Sequence, residues 1–383
     1  MTPLIITNNP NLASTTRVLQ DWLRRDNPTR LNGCVVLPRE GAFSKWLESQ
    51  QIPFMITPMP RPNKRWPVPG LWYAWRVASW AKAQGCDMLH CNEHDVYPFG
   101  AMLKRLVNWP TVCHVRFRIS PEFCQWMFCH DERKPDALLW TSHQQKQDCA
   151  DAVGDLIAQE NQHVVALGAD LSAINVTDDD RKQMRKAWGV DEDQIVLGTA
   201  SALRPIKQIE HFIKLTESLV KEGKNVTGVI AGDAPSGLEH YRDQLVEQIE
   251  ATNLSDRIQW VGHTDNVFQF LAGTDIFVST SKYESFGNSV CEAMATSTPV
   301  VGYTGGSVHE VLGDPSRIAL NGDLPTLTNK VRSLVEDVQL RNACGERDRQ
   351  RVADVFNPAV SLEKLRAVYG RILETERALR WAA

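Results

Sequence analysis

Residues 283–301 read YESFGNSVCEAMATSTPVV, from Tyr283 to Val301, and the fold turns on them. An apolar run, Asp275-Ile276-Phe277-Val278-Ser279, precedes them, and Pro299-Val300-Val301-Gly302 closes them. Strand, glycine-bearing turn, helix and second strand make one βαβ unit of a parallel sheet. Ligands of such sheets sit beyond the carboxyl ends of the strands, where Phe286-Gly287-Asn288-Ser289 falls. The first N–H groups of the helix have no partner within it and suit phosphate oxygens. Glu284 and Glu292, with seven residues between them, are poor phosphate ligands but good acceptors for sugar hydroxyls. The pattern points to a site for a phosphorylated sugar or a nucleotide-sugar.

At 383 residues the chain is too long for one ordinary core, so two domains are expected. The net charge of -4 and the scattered basic residues speak against a nucleic-acid partner. MTPLIITNNP has no basic leader region, no segment reaches membrane-spanning length, and a cytoplasmic protein is expected. Nine cysteines, an odd count without CxxC, read as reduced buried thiols. His90-Cys91 with His94, and Cys124 with Cys129-His130, fit no common zinc spacing, and no metal is expected.

Strand-like runs alternate with helical patterns along most of the chain, the signature of α/β architecture. In the first half they are Leu4–Thr7, Cys34–Leu37, Met88–His90, Val112–Val115, Leu138–Trp140 and Val164–Leu167. Asp178-Asp179-Asp180 reads as a helix start favoured by the dipole. A second series begins at Ile195–Ala200 and continues through Val229–Gly232 and Ile258–Gly262. The expected domains are 1–189 and 190–356, both Rossmann-like. Asn357-Pro358 opens a terminal helix, 357–383, whose stripe of Leu362, Leu365, Val368, Tyr369, Ile372 and Leu373 needs a surface to cover.

With these residues assembled, the chain resembles the retaining glycosyltransferases of family 4, also called glycosyl transferases group 1, which have the GT-B fold. The resemblance is carried by Glu284-Ser285-Phe286-Gly287 through Glu292-Ala293-Met294-Ala295, then Pro299-Val300-Val301 and Thr304-Gly305-Gly306. Ser201-Ala202-Leu203-Arg204-Pro205-Ile206-Lys207 matches the family's other donor element. The resemblance implies two Rossmann-like domains facing across a cleft, with the terminal helix packing back toward the first. It implies an amino-terminal acceptor domain and a carboxyl-terminal domain for a nucleotide-diphosphate sugar, with no cofactor required. Arg204 and Lys207 would grip the diphosphate, Glu284 the sugar hydroxyls and Glu292 the nucleotide ribose. Amides of Gly287, Asn288 and Ser289 would hold the distal phosphate, and Gly232 and Gly262 would let backbone approach the nucleotide. Gln208 and Ser297 stand where relatives have glycine.

The first half departs further. Where relatives carry a glycine pair after the first strand, this chain has Thr7-Asn8-Asn9-Pro10-Asn11, which puts amide contact with phosphate from that loop in question. His114-Val115-Arg116 looks like the His-x-Arg of some relatives, and residues two apart on a strand share a face. Arg116 is expected on donor phosphate or acceptor, with His114 as support and Asn92 as a weaker candidate. Gly168-Ala169-Asp170 matches a structural turn. A run with Trp66, Trp72, Trp75 and Trp80 beside Lys64, Arg65 and Arg76 leaves two readings. Helical spacing favours Trp72 and Trp75 packing a helix on the sheet, and the other reading seats the segment on a membrane surface. The same aromatics are the first suspects for acceptor recognition. The implied activity is sugar transfer from a nucleotide-diphosphate sugar to an acceptor hydroxyl, in polysaccharide, glycolipid or glycoconjugate synthesis. Alternatives are another GT-B enzyme, a phosphorylase or a sugar-nucleotide epimerase, and a noncatalytic nucleotide-sugar sensor.

Overall fold

Val, Ile and Leu run without polar alternation through most strands, and such strands need helices on both faces. The computed structural model describes residues 1–12, 14–27, 29–61, 68–264 and 266–382, and it contains two parallel sheets. The first unit comprises Met1–Leu167 and Pro358–Ala383, and the second Gly168–Asn357.

In the first unit the strands are β1 (Pro3–Ile6), β2 (Cys34–Leu37), β3 (Phe54–Ile56), β4 (Met88–Cys91), β5 (Thr111–Val115), β6 (Ala137–Trp140) and β7 (Gln162–Val164). Their order is β3-β2-β1-β4-β5-β6-β7, with Leu4 opposite Cys34 on one side and Leu89 on the other. The second unit has β8 (Ile195–Ala200), β9 (Val226–Ala231), β10 (Ile258–Gly262), β11 (Ile276–Ser279), β12 (Val300–Tyr303) and β13 (Ile318–Ala319). Their order is β10-β9-β8-β11-β12-β13. In each sheet the winding reverses once, between β1 and β4 and between β8 and β11, and a crevice forms at such a reversal. The pair of Rossmann-like units of a GT-B fold is therefore present.

The helix Asp178–Ala187, placed in the first domain by the sequence, lies in the second unit. Its Arg181 and Arg185 grip Asp275, just before β11, at 2.6 and 3.0 Å. Asp180 and Thr177 form its reciprocal capping box, so the aspartate run does start a helix. The terminal helix Pro358–Ala382 belongs to the first unit. Its Ser361 accepts from Trp22 Nε1 at 3.0 Å, Tyr369 Oη meets His90 Nδ1, and Leu362, Leu365 and Tyr369 are buried. The second unit's two ends meet: Ala169 N donates to Phe356 O at 3.1 Å, and a Cβ on Gly168 would lie 1.8 Å from that oxygen.

The helix Val68–Ala83 corrects the expectation for Trp72 and Trp75, which are 50% and 60% exposed. Its buried stripe is Ala74, Val77, Ala78 and Ala81, small residues that let it lie close against the helix Tyr97–Val107. The tryptophans fall outside that stripe. Lys64, Arg65 and Trp66 lie outside the described residues. Among the described residues no helix is long and apolar enough to cross a membrane, and no three His, Cys, Asp or Glu side chains gather as a metal site.

Candidate functional site

At the reversal of the second sheet, two loops leave β8 and β11 side by side. The β8 loop turns at Pro205–Lys207, and Gln208 follows with φ 48°, a left-handed backbone costly to a residue with Cβ. The loops are stitched by Thr280 Oγ1 donating to Lys207 O at 2.8 Å and Lys282 N to Ile206 O at 2.8 Å. This brings Lys207 Nζ to 2.5 Å from Glu284 Oε1, an oxygen that also accepts from Ser281 Oγ at 2.7 Å. Both side chains of the pair are mostly buried, 18% and 15% exposed. Glu284 Oε2 accepts no bond from the described residues, so one oxygen of a fixed carboxylate stays available. Arg204 is exposed, and its guanidinium pairs with no described group.

The Thr304-Gly305-Gly306 turn holds the glutamate from behind. Glu284 N donates to Gly305 O at 3.3 Å, and Ser307 N to Glu284 O at 2.9 Å. A Cβ on Gly306 would lie 2.2 Å from Glu284 O, so only glycine permits the approach. Gly287 caps the helix Asn288–Ala295 in a left-handed conformation and offers no side chain to its first N–H groups. The amides of Gly287, Asn288 and Ser289 accordingly have no described acceptor. Glu292 lies one turn beyond Asn288 and Ser289, half-buried on the same helix face. Its charge contributes to pushing the buried Cys291 thiol up, after burial itself. Gly232 follows β9 and Gly262 ends β10, and the two are joined by a 2.7 Å bond from Gly232 N to Gly262 O. A Cβ on Gly232 would lie 1.8 Å from Ser201 O, so its close approach is to the β8 loop.

The reversal of the first sheet holds a buried polar cluster. Arg116 Nε and Nη2 donate to Asn92 O and Oδ1 at 3.0 and 2.6 Å, and its guanidinium lies over Trp22. Its Nη1 has no partner among the described residues, nor does either ring nitrogen of His114. Burial draws Arg116 down to about 10, opposed by the Glu93 charge. Burial, then the Arg116 charge, holds His114 well below the usual range and His90 at about 3, so both imidazoles are neutral near pH 7. Glu93 is the residue that sequence reasoning missed. It follows Asn92 at the carboxyl end of β4 and accepts from Thr7 Oγ1 at 2.8 Å, Asn92 Nδ2 at 2.8 Å and Asn8 N at 3.4 Å. Burial raises its carboxyl pKa, and the Thr7 bond and the Arg116 charge oppose the rise. An acid two residues past a buried strand at the sheet reversal was the available signal. In the Thr7–Asn11 loop the N–H groups of Asn8, Asn9 and Asn11 bond to Glu93, Thr7 and Asn9 side chains. Those amides are engaged internally in place of the open glycine loop.

Residues 180–351 match the family described as Glycosyl transferases group 1. The chain is 25% identical over 242 residues to N-acetyl-alpha-D-glucosaminyl L-malate synthase of Bacillus anthracis, covering 61% of this chain and 62% of that protein. It is 24% identical over 303 residues to the alpha-D-kanosaminyltransferase of Streptomyces kanamyceticus, covering 74% of this chain and 76% of the relative. Among solved structures, HepE of Anabaena in complex with UDP superposes with a TM-score of 0.83 at 21% identity, over 97% of this chain and 100% of that one. HepE in complex with UDP-glucose gives 0.81 at 22% identity, over 99% and 100%.

Proposed function

We propose, from the membership of residues 180–351 in glycosyl transferases group 1, that the protein moves a sugar from a nucleotide-diphosphate sugar to an acceptor hydroxyl with retention of configuration. The observation that carries the reading is the Lys207–Glu284 pair, set where β8 and β11 part, beside an uncapped helix start. That place suits a ligand with adjoining anionic and polyhydroxyl parts.

Arg204, Lys207 and the amides of Gly287, Asn288 and Ser289 take the diphosphate, and Glu284 Oε2 accepts a donor-sugar hydroxyl. Glu292 takes the ribose. The bond from the anomeric carbon to the phosphate oxygen breaks as the acceptor oxygen bonds to that carbon on the same face. The acceptor proton passes to the departing phosphate oxygen. Positive side chains and amides stabilise the leaving diphosphate, and no metal is required for that step. Arg116 and His114 supply buried donors that fit phosphate or acceptor oxygens. The UDP and UDP-glucose complexes of HepE support a nucleotide-sugar donor. Exposed Leu71, Trp72 and Trp75 beside Arg76 support peripheral contact with the inner face of a membrane.

The test is thermal stability with UDP, GDP, ADP and their sugar conjugates, with and without magnesium, followed by acceptor-dependent nucleotide release. A magnesium-independent shift with one nucleotide, lost in Arg204→Ala, is expected; at a hundredfold excess over Kd it amounts to about 2.7 kcal/mol. Nucleotide binding without turnover on any acceptor would favour a sensor, and release without an acceptor an epimerase. Cosedimentation with anionic vesicles, lost in Trp72→Ala with Trp75→Ala, tests the membrane contact.

A further inference from the structure

A cavity lies beyond the carboxyl ends of four adjacent strands of the first sheet. It has a volume of about 240 Å³ and is lined by Asn8, Pro38, Met59, Arg61, Asp95 and Phe99, with Val96. Asn8 follows β1, Pro38 follows β2, Met59 and Arg61 follow β3, and Asp95 follows β4. Four apolar residues and three polar ones share its lining, and convergent polar groups of this kind fix the orientation of a small ligand. At 240 Å³ this one is smaller than the roughly 300–1,000 Å³ of drug-sized ligand sites, so it takes a single small unit and not a length of polymer.

The polar groups are unequally engaged. Asn8 is exposed and anchored through its backbone N–H to Glu93, and its side-chain amide has no described partner. Asp95 Oδ1 lies 3.4 Å from His94 Nε2. Arg61 is exposed and pairs with no described group, while its charge reaches His94. Val96 and Phe99, both in the lining, stand at the start of the helix Tyr97–Val107, so the positive end of that helix borders the cavity, with Asp95 just before it. Between Glu48 and Asp87 the chain has five Lys or Arg and no acid, against a net charge of -4 for the whole.

We infer that this cavity seats the acceptor and selects one carrying a carboxylate or a phosphate beside its hydroxyls. Arg61 takes the anionic group as a planar fork, and Asn8 and Asp95 take hydroxyls. The inference rests on the glycosyl-transfer reading above.

Saturation-transfer NMR with glucose, glucuronate and glucose 6-phosphate, each added to the nucleotide-saturated protein, tests it. At least one anionic sugar is expected to bind about tenfold or more tightly than glucose, and which of the two does so separates carboxylate from phosphate. Arg61→Ala should lower that sugar to the level of glucose, a loss of about tenfold or more, and Arg61→Lys should restore part of it. The nucleotide-induced thermal shift should persist in both variants, which reports that they fold and that the donor site stands. Equal binding of all three sugars, binding unchanged in Arg61→Ala, or no sugar binding beside an intact nucleotide shift would each overturn the assignment. Absence of the nucleotide shift in the wild-type protein would remove the glycosyl-transfer reading itself.

Discussion

Truncating Lys207 to alanine tests the proposed donor site at its centre, because the pair with Glu284 ties two loops together and, in the proposed reaction, serves the diphosphate and the sugar. Removing one member of a fully buried ion pair costs about 3–5 kcal/mol. Here Ser281 still donates to Glu284 Oε1, and the two side chains keep 18% and 15% exposure, so the loss is smaller. About 1–2 kcal/mol is expected, which for a unit of this size lowers Tm by roughly 2–8 °C. Glu284→Gln leaves a neutral acceptor for the ammonium and should cost a similar amount. In the double variant the costs should fall short of their sum by about 1 kcal/mol, since each single change already breaks the contact. Chemistry adds a separate loss. One charge-assisted bond to the diphosphate contributes on the order of 1.5–3 kcal/mol, so kcat/KM of Lys207→Ala should fall about 10- to 150-fold. Urea unfolding of the four proteins and nucleotide release with saturating acceptor supply the measurements. Additive stability losses with kcat/KM within about threefold of wild type would refute the reasoning, because neither the pair nor its place on the diphosphate would then be real.

Gln208→Gly and Ser297→Gly relieve φ values of 48° and 61° and should each stabilise by about 0.5–1 kcal/mol, read as a higher urea midpoint at unchanged m. Asp348→Asn weakens the buried bidentate contact with Arg317, whose two bonds measure 2.6 Å, and should cost about 3–5 kcal/mol in the same assay. His90, about 3 when folded against 6.5 unfolded, stays neutral in the native state while the unfolded chain takes up a proton. Its contribution is whole above pH 6.5 and lost as pH falls from 6.5 toward 3, about 2 kcal/mol by pH 5. His114 shifts in the same direction, so His114→Asn should flatten the pH dependence of urea unfolding between 6.5 and 5 by about one proton.

The second unit was legible because its motif is local. Glu284, Gly287 and Glu292 keep their spacing on one loop and one helix, and the parallel sheet follows from long apolar strands. Gln208 and Ser297 were recognised as glycine positions, and both do adopt left-handed backbone. Less was legible where single residues decide. β3 and β13 have three and two residues, too few for any periodicity, and both lie at sheet edges. β7 begins at polar Gln162, two residues before the apolar run that marked it. Trp72 and Trp75 misled because four smaller residues, Ala74, Val77, Ala78 and Ala81, form the packed face. Glu93 looks like a surface acid in sequence, and only the long-range bond from Thr7, 86 positions away, shows it buried.

The first unit is assembled from both ends of the chain, with the second inserted between Leu167 and Pro358. Residues 168–357 form one continuous block whose ends touch through Ala169 and Phe356. The first unit must wait for Ser361 and Tyr369, the last-made partners of Trp22 and His90. The second unit is therefore fully synthesised before the first has all of its chain, which departs from the usual amino-terminal-first order. A chain cut just after Asn357 would carry the whole second unit, with a first unit still open along its Trp22–His90 flank.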